Sequence, residues 1–353
     1  MTRSFPHDRS RRVPLDTHVS APCPLCGHDQ ARLLIENNFN LTGMAERSFR
    51  VVECRQCEFR FLHPRPDVEE LAAYYGDSYP AHVMVQGGTV DVEQQSLQRR
   101  HQRIAAQRIR LMRRYLPLPW DQKRVLDVGC GNGSFLMELA RQYPVEAWGL
   151  NLADSVLEKI ARAGPNLRLR RGDLSGADVP SDYFDVITMW HVLEHHGDPV
   201  QGLRLVKGWL RPSGLLMAEV PNAAGLIAWL CGSSWLGWDL PRHLAHFSTQ
   251  TLRAAAEKAG LENVRVIRAY TLNPLSLSPL LVSWKLRHWQ RKGRTRIRTP
   301  AYHRWDGWAG WFLRVVNGIE WLLGGNGLLL TARKESVSGA SCSRSVQEEG
   351  LAG

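Results

Sequence analysis

Short apolar runs alternate with amphipathic segments through the larger part of this 353-residue chain. The apolar runs predict strands at 123–128, 145–150, 167–171, 183–190, 213–220, 262–270 and 326–333. Segments with one apolar face predict helices near 133–142, 153–163, 198–210 and 249–259. Because strands and helices alternate, we predict an α/β fold in which helices cover both faces of a parallel sheet.

Residues 90–116 precede this alternation and carry apolar side chains at helical spacing. The apolar stripe consists of Leu97, Ile104, Leu111, Met112 and Tyr115. Arginines between 99 and 114 cover the rest of the predicted helix. We interpret it as a connecting helix that docks through its stripe, with its arginines in solvent. An RNA-contacting face is the alternative.

About fifty residues, 271–324, separate the last two predicted strands, which is too long for an ordinary loop. A basic stretch in this insert precedes a second apolar stripe, made of Trp305, Trp308, Phe312, Val315, Ile319 and Leu322. Two interpretations stay open for this predicted helix. It packs against the sheet or a partner subunit, or it lies with its basic flank as a peripheral contact on an anionic membrane surface.

These patterns divide the chain into segments. We expect disordered residues at 1–20, a cysteine-containing module at 21–88, a connecting helix at 89–120, the α/β domain with its insert at 121–334, and a disordered tail at 335–353. Hydrophobic residues make up 44% of the chain, enough for a sizeable core. We see neither a secretory signal nor a stretch suited to span a membrane, and we expect a cytoplasmic protein.

Four cysteines form two pairs of identical spacing, Cys23 with Cys26 in CPLC and Cys54 with Cys57 in CRQC. In a reducing compartment, thiols favour metal binding over disulfides. Two CxxC pairs supply the four soft ligands of a tetrahedral Zn²⁺ site, and the module resembles a zinc ribbon. With sulfur in every position the zinc would be structural. Two metal-free dithiols are the alternative.

The stretch VLDVGCGNG, residues 125–133, places three glycines directly behind an apolar run that contains Asp127. A strand, an acid, a glycine-rich loop and a helix are typical of nucleotide-binding turns. The spacing GxGxG does not match the dinucleotide pattern GxGxxG. The stretch resembles motif I of the class I S-adenosylmethionine (SAM) methyltransferases, in which the methionine part of SAM lies against the glycines.

The resemblance extends over roughly 121–270 and 326–334. It implies a Rossmann-like seven-stranded methyltransferase sheet, here with a helical insert before the last strand. In the family an acid after the second strand binds the ribose; Asn151 stands at that place, and Asp154 is the alternative. Asp173 matches the residue that meets the adenine amine. The implied cofactor-binding residues are Asp127, Gly129, Cys130, Gly131, Asn132, Gly133, Asn151, Leu152, Asp173, Leu174, Trp190 and His191.

With its cysteine module, the chain resembles the zinc-ribbon-bearing branch of this superfamily, whose members modify small molecules or glycans. Methyl transfer requires removal of a proton from the acceptor, a task that suits histidine near neutral pH. Candidates follow the fourth and fifth predicted strands: His191, His195, His196, His243 and His246. We favour His243 as the base, with Arg242 holding an anionic or carbonyl oxygen and Tyr79 lining the other side of the site.

His191, Glu194 and His195 also spell HxxEH, an inverted zinc-protease motif. Protease chemistry requires this triplet inside a helix with a third ligand downstream. Here the triplet follows a predicted strand, so we expect no protease activity.

Three functions remain in competition. The sequence favours O- or C-methylation of a small-molecule or glycan-type acceptor. An RNA methyltransferase is the first alternative, because the formal net charge is +11 and arginines cluster at 99–114. That helix lacks interleaved aromatic residues, and the fourth strand lacks an NPPY-type tetrad, so we expect no nucleic-acid partner. The second alternative is a non-catalytic protein on a nucleotide-binding fold, and the amide at Asn151 is its main support.

Overall fold

Two β-sheets form the framework of the protein, whose computed structural model describes residues 18–40, 43–74, 92–163, 167–269 and 326–336. The strands, in chain order, are β1 (His18–Ser20), β2 (Gln30–Asn40), β3 (Gly43–Cys54), β4 (Arg60–Leu62), β5 (Arg124–Val128), β6 (Glu146–Asn151), β7 (Arg168–Arg171), β8 (Phe184–Trp190), β9 (Leu210–Pro221), β10 (Ala245–His246), β11 (Glu262–Ala269) and β12 (Gly327–Arg333). Residues 18–20, which we expected to be disordered, form β1. The expectations for residues 1–17 and 337–353, for Tyr79, and for the insert with its membrane contact lie outside the described residues.

Seven helices connect these strands within the described ranges. They are α1 (Val68–Ala72), α2 (Val92–Tyr115), α3 (Ser134–Gln142), α4 (Asp154–Ala163), α5 (Pro199–Trp209), α6 (Leu226–Cys231) and α7 (Thr249–Lys258). Short 3₁₀ helices lie at Leu193–His195, Gly232–Ser234 and Leu236–Trp238. No described helix is both long and apolar enough to cross a bilayer.

The larger sheet has seven strands in the order β11-β12-β9-β8-β5-β6-β7. Neighbouring strands from β9 to β7 run parallel, and β12 is antiparallel to both of its neighbours. Every residue of β8 is buried, as expected for a strand covered by helices on both faces. The predicted Rossmann-like sheet is confirmed. Its strand order reverses between β5 and β8, where the carboxyl ends of an open sheet form a ligand-binding crevice.

Helix α2 packs against α3 on one side of this sheet. Ile109 and Met112 are buried there, and Leu111 and Tyr115 are partly buried, so the predicted docking of the helix is confirmed. The expectation that its arginines lie in solvent is wrong at Arg108. That side chain is half-buried and turns toward the carboxyl end of β8.

The smaller sheet has five strands in the order β1-β2-β3-β4-β10. Three of them, β2 to β4, come from the cysteine module, and β1 lies directly before it, whereas β10 comes from the segment after β9. Ala245 pairs with Phe61 and His246 pairs with Arg60. Phe59 and Phe247 pack together beneath this joint, with ring centroids 5.6 Å apart. The module and the α/β region therefore share one sheet.

Candidate active site

The glycine loop between β5 and α3 adopts a left-handed backbone at three positions. Gly129, Gly131 and Gly133 have φ angles of 65°, 52° and 73°. A Cβ on Gly129 would lie 2.6 Å from Cγ2 of Val192, and one on Gly133 would lie 2.9 Å from Ile160. From the sequence, we attribute all three glycines to the close approach of a ligand. At these two positions the protein's own packing already excludes a side chain.

Asp127 at the end of β5 is 2% exposed. Thr188 of β8 donates a hydrogen bond of 2.6 Å from its Oγ1 to Asp127 Oδ1. Burial raises the pKa of Asp127 to about 7, although the hydroxyl of Thr188 and the charge of Arg108 both oppose this shift. A carboxyl group that titrates near neutrality therefore lies directly behind the loop.

Helix α2 places two side chains at this crevice, neither of which is among the residues predicted from the sequence. Nδ2 of Asn132, in the glycine loop, lies 2.9 Å from Nδ1 of His101. The guanidinium carbon of Arg108 lies 4.7 Å from the ring centroid of Trp190. Burial lowers the pKa of Arg108, while the charges of Glu219 and Asp127 act in the opposite direction. The seven-residue spacing of His101 and Arg108, which puts both on one helix face, was the available signal.

The turn after β6 combines a buried amide with an exposed apolar side chain. Asn151 Oδ1 accepts a hydrogen bond of 3.0 Å from the amide of Ala153, and its Nδ2 donates to the carbonyl of Gly131 at 3.4 Å. Asn151 thereby ties the second strand to the glycine loop. Leu152 is 62% exposed and presents an apolar surface beside this turn.

The two acids near this turn both have protein partners. Asp154 lies 3.2 Å from Nη1 of Arg171. Asp173 Oδ1 accepts hydrogen bonds from the amides of Ser175 and Gly176, and its side chain is exposed. Two further predicted cofactor-binding residues, Cys130 and Leu174, are buried in the core.

His191 leaves β8 with a φ of 60°, a strained conformation for a non-glycine residue that is frequent at functional sites. Its Nδ1 lies 3.1 Å from Glu194 Oε1, and its Nε2 lies 3.8 Å from Glu219 Oε1. Burial lowers the pKa of His191, but the hydrogen bond to Glu194 and the charge of Glu219 outweigh it and leave the pKa raised. Burial also raises the pKa of Glu219.

His195 and His243 meet edge to face, with ring centroids 4.7 Å apart. His195 Nδ1 lies 3.0 Å from the carbonyl oxygen of Arg242, and His243 Nδ1 lies 2.8 Å from that of Gly237. A carbonyl oxygen only accepts hydrogen bonds, so each Nδ1 carries a proton, and the lone pair of the deprotonated ring lies on Nε2. Burial, with the nearby charge of His243, lowers the pKa of His195 to about 4.

Arg242 differs from its expected role. The residue is fully buried, and its guanidinium donates to both carboxylate oxygens of Asp239, at 3.0 and 2.5 Å. It also donates to the carbonyl of Tyr74 at 3.4 Å. This geometry holds the loop between β9 and β10 and leaves the guanidinium committed to protein partners. His246 is likewise buried, edge-on to Trp238 at 4.9 Å, and burial lowers its pKa well below the usual value.

A family model described as a methyltransferase domain matches residues 94–266, from α2 to β11. The ubiquinone biosynthesis O-methyltransferase of Bordetella avium is 30% identical over 166 residues, which are 44% of this chain and 68% of that protein. The protein of the same name from Cereibacter sphaeroides is 27% identical over 172 residues, 46% of this chain and 69% of that one.

The chain is a class I SAM-dependent methyltransferase. Among solved structures, this methyltransferase is similar to a SAM-dependent methyltransferase from Archaeoglobus fulgidus, with 21% identity, a TM-score of 0.42, and coverage of 66% of this chain and 94% of that one. It is also similar to one from Mesorhizobium loti, with 19% identity, a TM-score of 0.44, and coverage of 65% and 97%.

The methyltransferase brings its four paired cysteines together at one end of the smaller sheet. The Sγ atoms of Cys23 and Cys57 lie 3.6 Å apart, and those of Cys26 and Cys54 lie 3.5 Å apart. All four sulfur atoms lie within 4.8 Å of one another. Sulfur ligands of a tetrahedral Zn²⁺, at about 2.3 Å from the metal, lie about 3.8 Å apart. The cluster fits a four-cysteine zinc site.

Proposed function

We propose that this methyltransferase transfers the methyl group of SAM to a hydroxyl oxygen of a small molecule. The observation that carries the proposal is a cluster of Glu194, His195 and His243 at the exit of β8, beside the glycine loop. Val192 of the same exit packs directly on Gly129, so the two sites are neighbours. The two relatives described above, both named O-methyltransferases, support oxygen as the acceptor atom.

We assign SAM to the crevice between the glycine loop and the turn after β6. SAM supplies an activated methyl group when it is bound. Leu152 offers an apolar face for the adenine, and the exposed carboxylate of Asp173 can accept from the adenine amine. The amide of Asn151 suits the ribose hydroxyls, although it lacks the charge that would strengthen those hydrogen bonds. Arg108, half-buried over Trp190, is a cationic partner for the carboxylate of the cofactor.

We assign the acceptor hydroxyl to the cluster at the exit of β8. Its oxygen forms a bond to the methyl carbon as the sulfur–carbon bond breaks, and its proton leaves at the cluster. The lone pairs on Nε2 of His195 and His243 suit this task. The low pKa of His195 makes that ring a weak proton acceptor near neutrality, so we keep His243 as the proposed base.

We also propose that the four-cysteine cluster binds one structural Zn²⁺. Sulfur fills every position of the tetrahedron, which leaves no coordination site for substrate. The zinc would hold β2, β3 and β4 in the arrangement that β10 joins.

Incubation of the protein with SAM and a panel of phenols, catechols and sugars tests the proposed function. We expect methyl ethers among the hydroxylated acceptors by mass spectrometry, together with SAM binding by calorimetry. The variant His243→Gln should lower turnover by about 10²-fold and leave SAM affinity unchanged. Methylation of RNA with no small-molecule product would contradict the proposed acceptor class, and absence of SAM binding would contradict the cofactor site.

A further inference from the structure

We propose that Glu194, His195 and His243 bind one divalent transition-metal ion, separate from the four-cysteine site. The three side chains come from the 3₁₀ helix after β8 and from the loop that precedes β10. We infer the metal site from the geometry of these three side chains alone. The inference rests on the proposed function only for the oxygen that the metal would hold.

The potential ligand atoms are already close together. One atom from each side chain lies within 4.8 Å of those from the other two. Nitrogen and oxygen ligands of a tetrahedral Zn²⁺, at about 2.0–2.1 Å from the metal, lie about 3.3 Å apart. A small inward movement of the side chains therefore completes three corners of a coordination site.

Both imidazoles are oriented in the way that metal-binding histidines are. Each donates its Nδ1 proton to a backbone carbonyl, His195 to Arg242 at 3.0 Å and His243 to Gly237 at 2.8 Å. Such hydrogen bonds fix the tautomer and direct the Nε2 lone pair of a ligating histidine. Asp239, whose Oδ2 lies 3.7 Å from His243 Nε2, is engaged instead by the guanidinium of Arg242 at 3.0 Å.

Glu194 supplies a second and independent indication. Its side chain is 1% exposed, and its Oε1 accepts a hydrogen bond from His191 Nδ1 at 3.1 Å. Its Oε2 is buried and has no hydrogen-bond partner within the described part of the chain. A buried carboxylate oxygen without a partner is costly, and a cation between the three side chains would satisfy it.

The arrangement is different from that of the protease motif HxxEH. In that motif both histidines bind the metal and the glutamate is the general base. Here His191 is hydrogen-bonded to the glutamate, and the second imidazole of the cluster comes from His243, far along the chain. His191 would orient the ligating carboxylate, as the second shell of a metal site does.

Two imidazoles and one carboxylate suit Zn²⁺ and leave a fourth position open, as in catalytic zinc sites. A metal at such a position makes a bound oxygen more acidic. An acceptor hydroxyl held there would release its proton to solvent, and its oxygen would bond to the methyl carbon as the sulfur–carbon bond breaks. His243 would then act as a ligand rather than as the proton acceptor itself.

Metal content tests this inference without reference to activity. We expect the parent protein, saturated with Zn²⁺ and desalted, to retain one equivalent more than the four-cysteine site holds. Glu194→Gln and His243→Gln should each lose that equivalent and keep the other. Glu158→Gln, which changes a glutamate with a 67% exposed side chain on α4, is the matched control and should keep both. Equal zinc content in the parent and the folded Glu194→Gln variant would overturn the inference.

Cobalt spectroscopy covers the case in which a variant fails to fold. With the cysteine site filled by Zn²⁺, Co²⁺ added to the parent should give visible d–d bands without a thiolate charge-transfer band. No spectral change would overturn the inference. Methyl transfer at the parental rate by protein lacking this second metal would refute the role given to the metal and leave the proposed function intact. Two bound metals with no methyl transfer to any acceptor would support the second metal site and refute the proposed function.

Discussion

The glycine loop after β5 and the segment that carries His243 lie at the same edge of the seven-stranded sheet, but different forces hold them. Residues 129–133 are held within the α/β domain, by left-handed backbone angles and by contacts with Val192 and Ile160. The segment with His243 is fixed from a distance. It enters the smaller sheet through β10, whose partner strand β4 lies in the cysteine module.

A short series of hydrogen bonds links that module to the acceptor cluster. The amide of Leu62 in β4 donates to the carbonyl of Leu244 at 3.0 Å, and the amide of Leu244 donates to the carbonyl of Glu194 at 2.8 Å. Arg60 also donates to the carbonyl of Ala223 at 2.6 Å. The site has an acceptor half, the cluster at the exit of β8, and a cofactor half, the crevice between the glycine loop and the turn after β6. We infer that loss of order in the module displaces the acceptor half more than the cofactor half.

Loss of the four-cysteine zinc should give the largest effect. Cys26→Ser removes one ligand, and because zinc binding is coupled to folding, the module should lose both metal and order. Displacement of β10 by about 1 Å would cost turnover about 10²-fold. We expect SAM affinity, measured by calorimetry, to change far less than turnover. Equal losses of SAM affinity and turnover would show that the two halves of the site are not held independently.

The converse variant is Gly131→Val. At a φ of 52° a β-branched residue is strained by about 1–2 kcal/mol, and its side chain would enter the space assigned to SAM. We expect no measurable SAM binding by calorimetry, with zinc content unchanged. Gly208→Ala on α5, where a Cβ would meet nothing within 4 Å, is the control and should bind SAM as the parent does. If Gly131→Val binds SAM with the parental affinity, the assignment of SAM to this loop is wrong.

The same contrast explains what could be predicted from sequence. The strands of the larger sheet, the glycine loop and the paired cysteines carry their information within short windows, so periodicity and spacing were sufficient. The pairing of β10 with β4 joins two very short strands that are distant in the chain, and no local pattern marks it. The burial of Arg242 could not be predicted for the same reason. A buried ion pair with Asp239 and a solvent-facing guanidinium look alike in sequence.

A buried charge in the cofactor half gives a pH-dependent effect. Burial raises the pKa of Asp127 from 3.8 to about 7, so folding favours its protonated form. The parent therefore loses stability as the pH rises from about 4 to about 7. Asp127→Asn lacks this ionisation, and its free energy of unfolding relative to the parent should improve by ~1–3 kcal/mol over that range. Urea unfolding at several pH values measures the difference, and parallel curves would mean that Arg108 keeps the carboxylate ionised.

The smallest effect lies within the cysteine module, whose two knuckles have different residues directly after the second cysteine, Gly27 and Glu58. The amides of Gly27 and Glu58 each donate to the carbonyl of the first cysteine in their pair, at 2.8 and 3.0 Å. Their φ angles are 80° and 59°. Glu58 is exposed, and it takes up the left-handed conformation that glycine adopts without strain.

Replacement of Glu58 by glycine should therefore stabilise the module. Relief of about 1–2 kcal/mol of backbone strain, less about 0.5–1 kcal/mol for the greater freedom of unfolded glycine, leaves a gain of roughly 0.5–1 kcal/mol. The matched variant Gly27→Ala, where a Cβ meets no atom within 4 Å, should lose about 1 kcal/mol through backbone strain alone. Urea unfolding of zinc-saturated protein measures both. If the two variants change the free energy of unfolding in opposite directions, then backbone angle, and not side-chain contact, sets the stability of each knuckle. A loss of stability in Glu58→Gly would instead mean that the glutamate makes a contact worth more than the strain it bears.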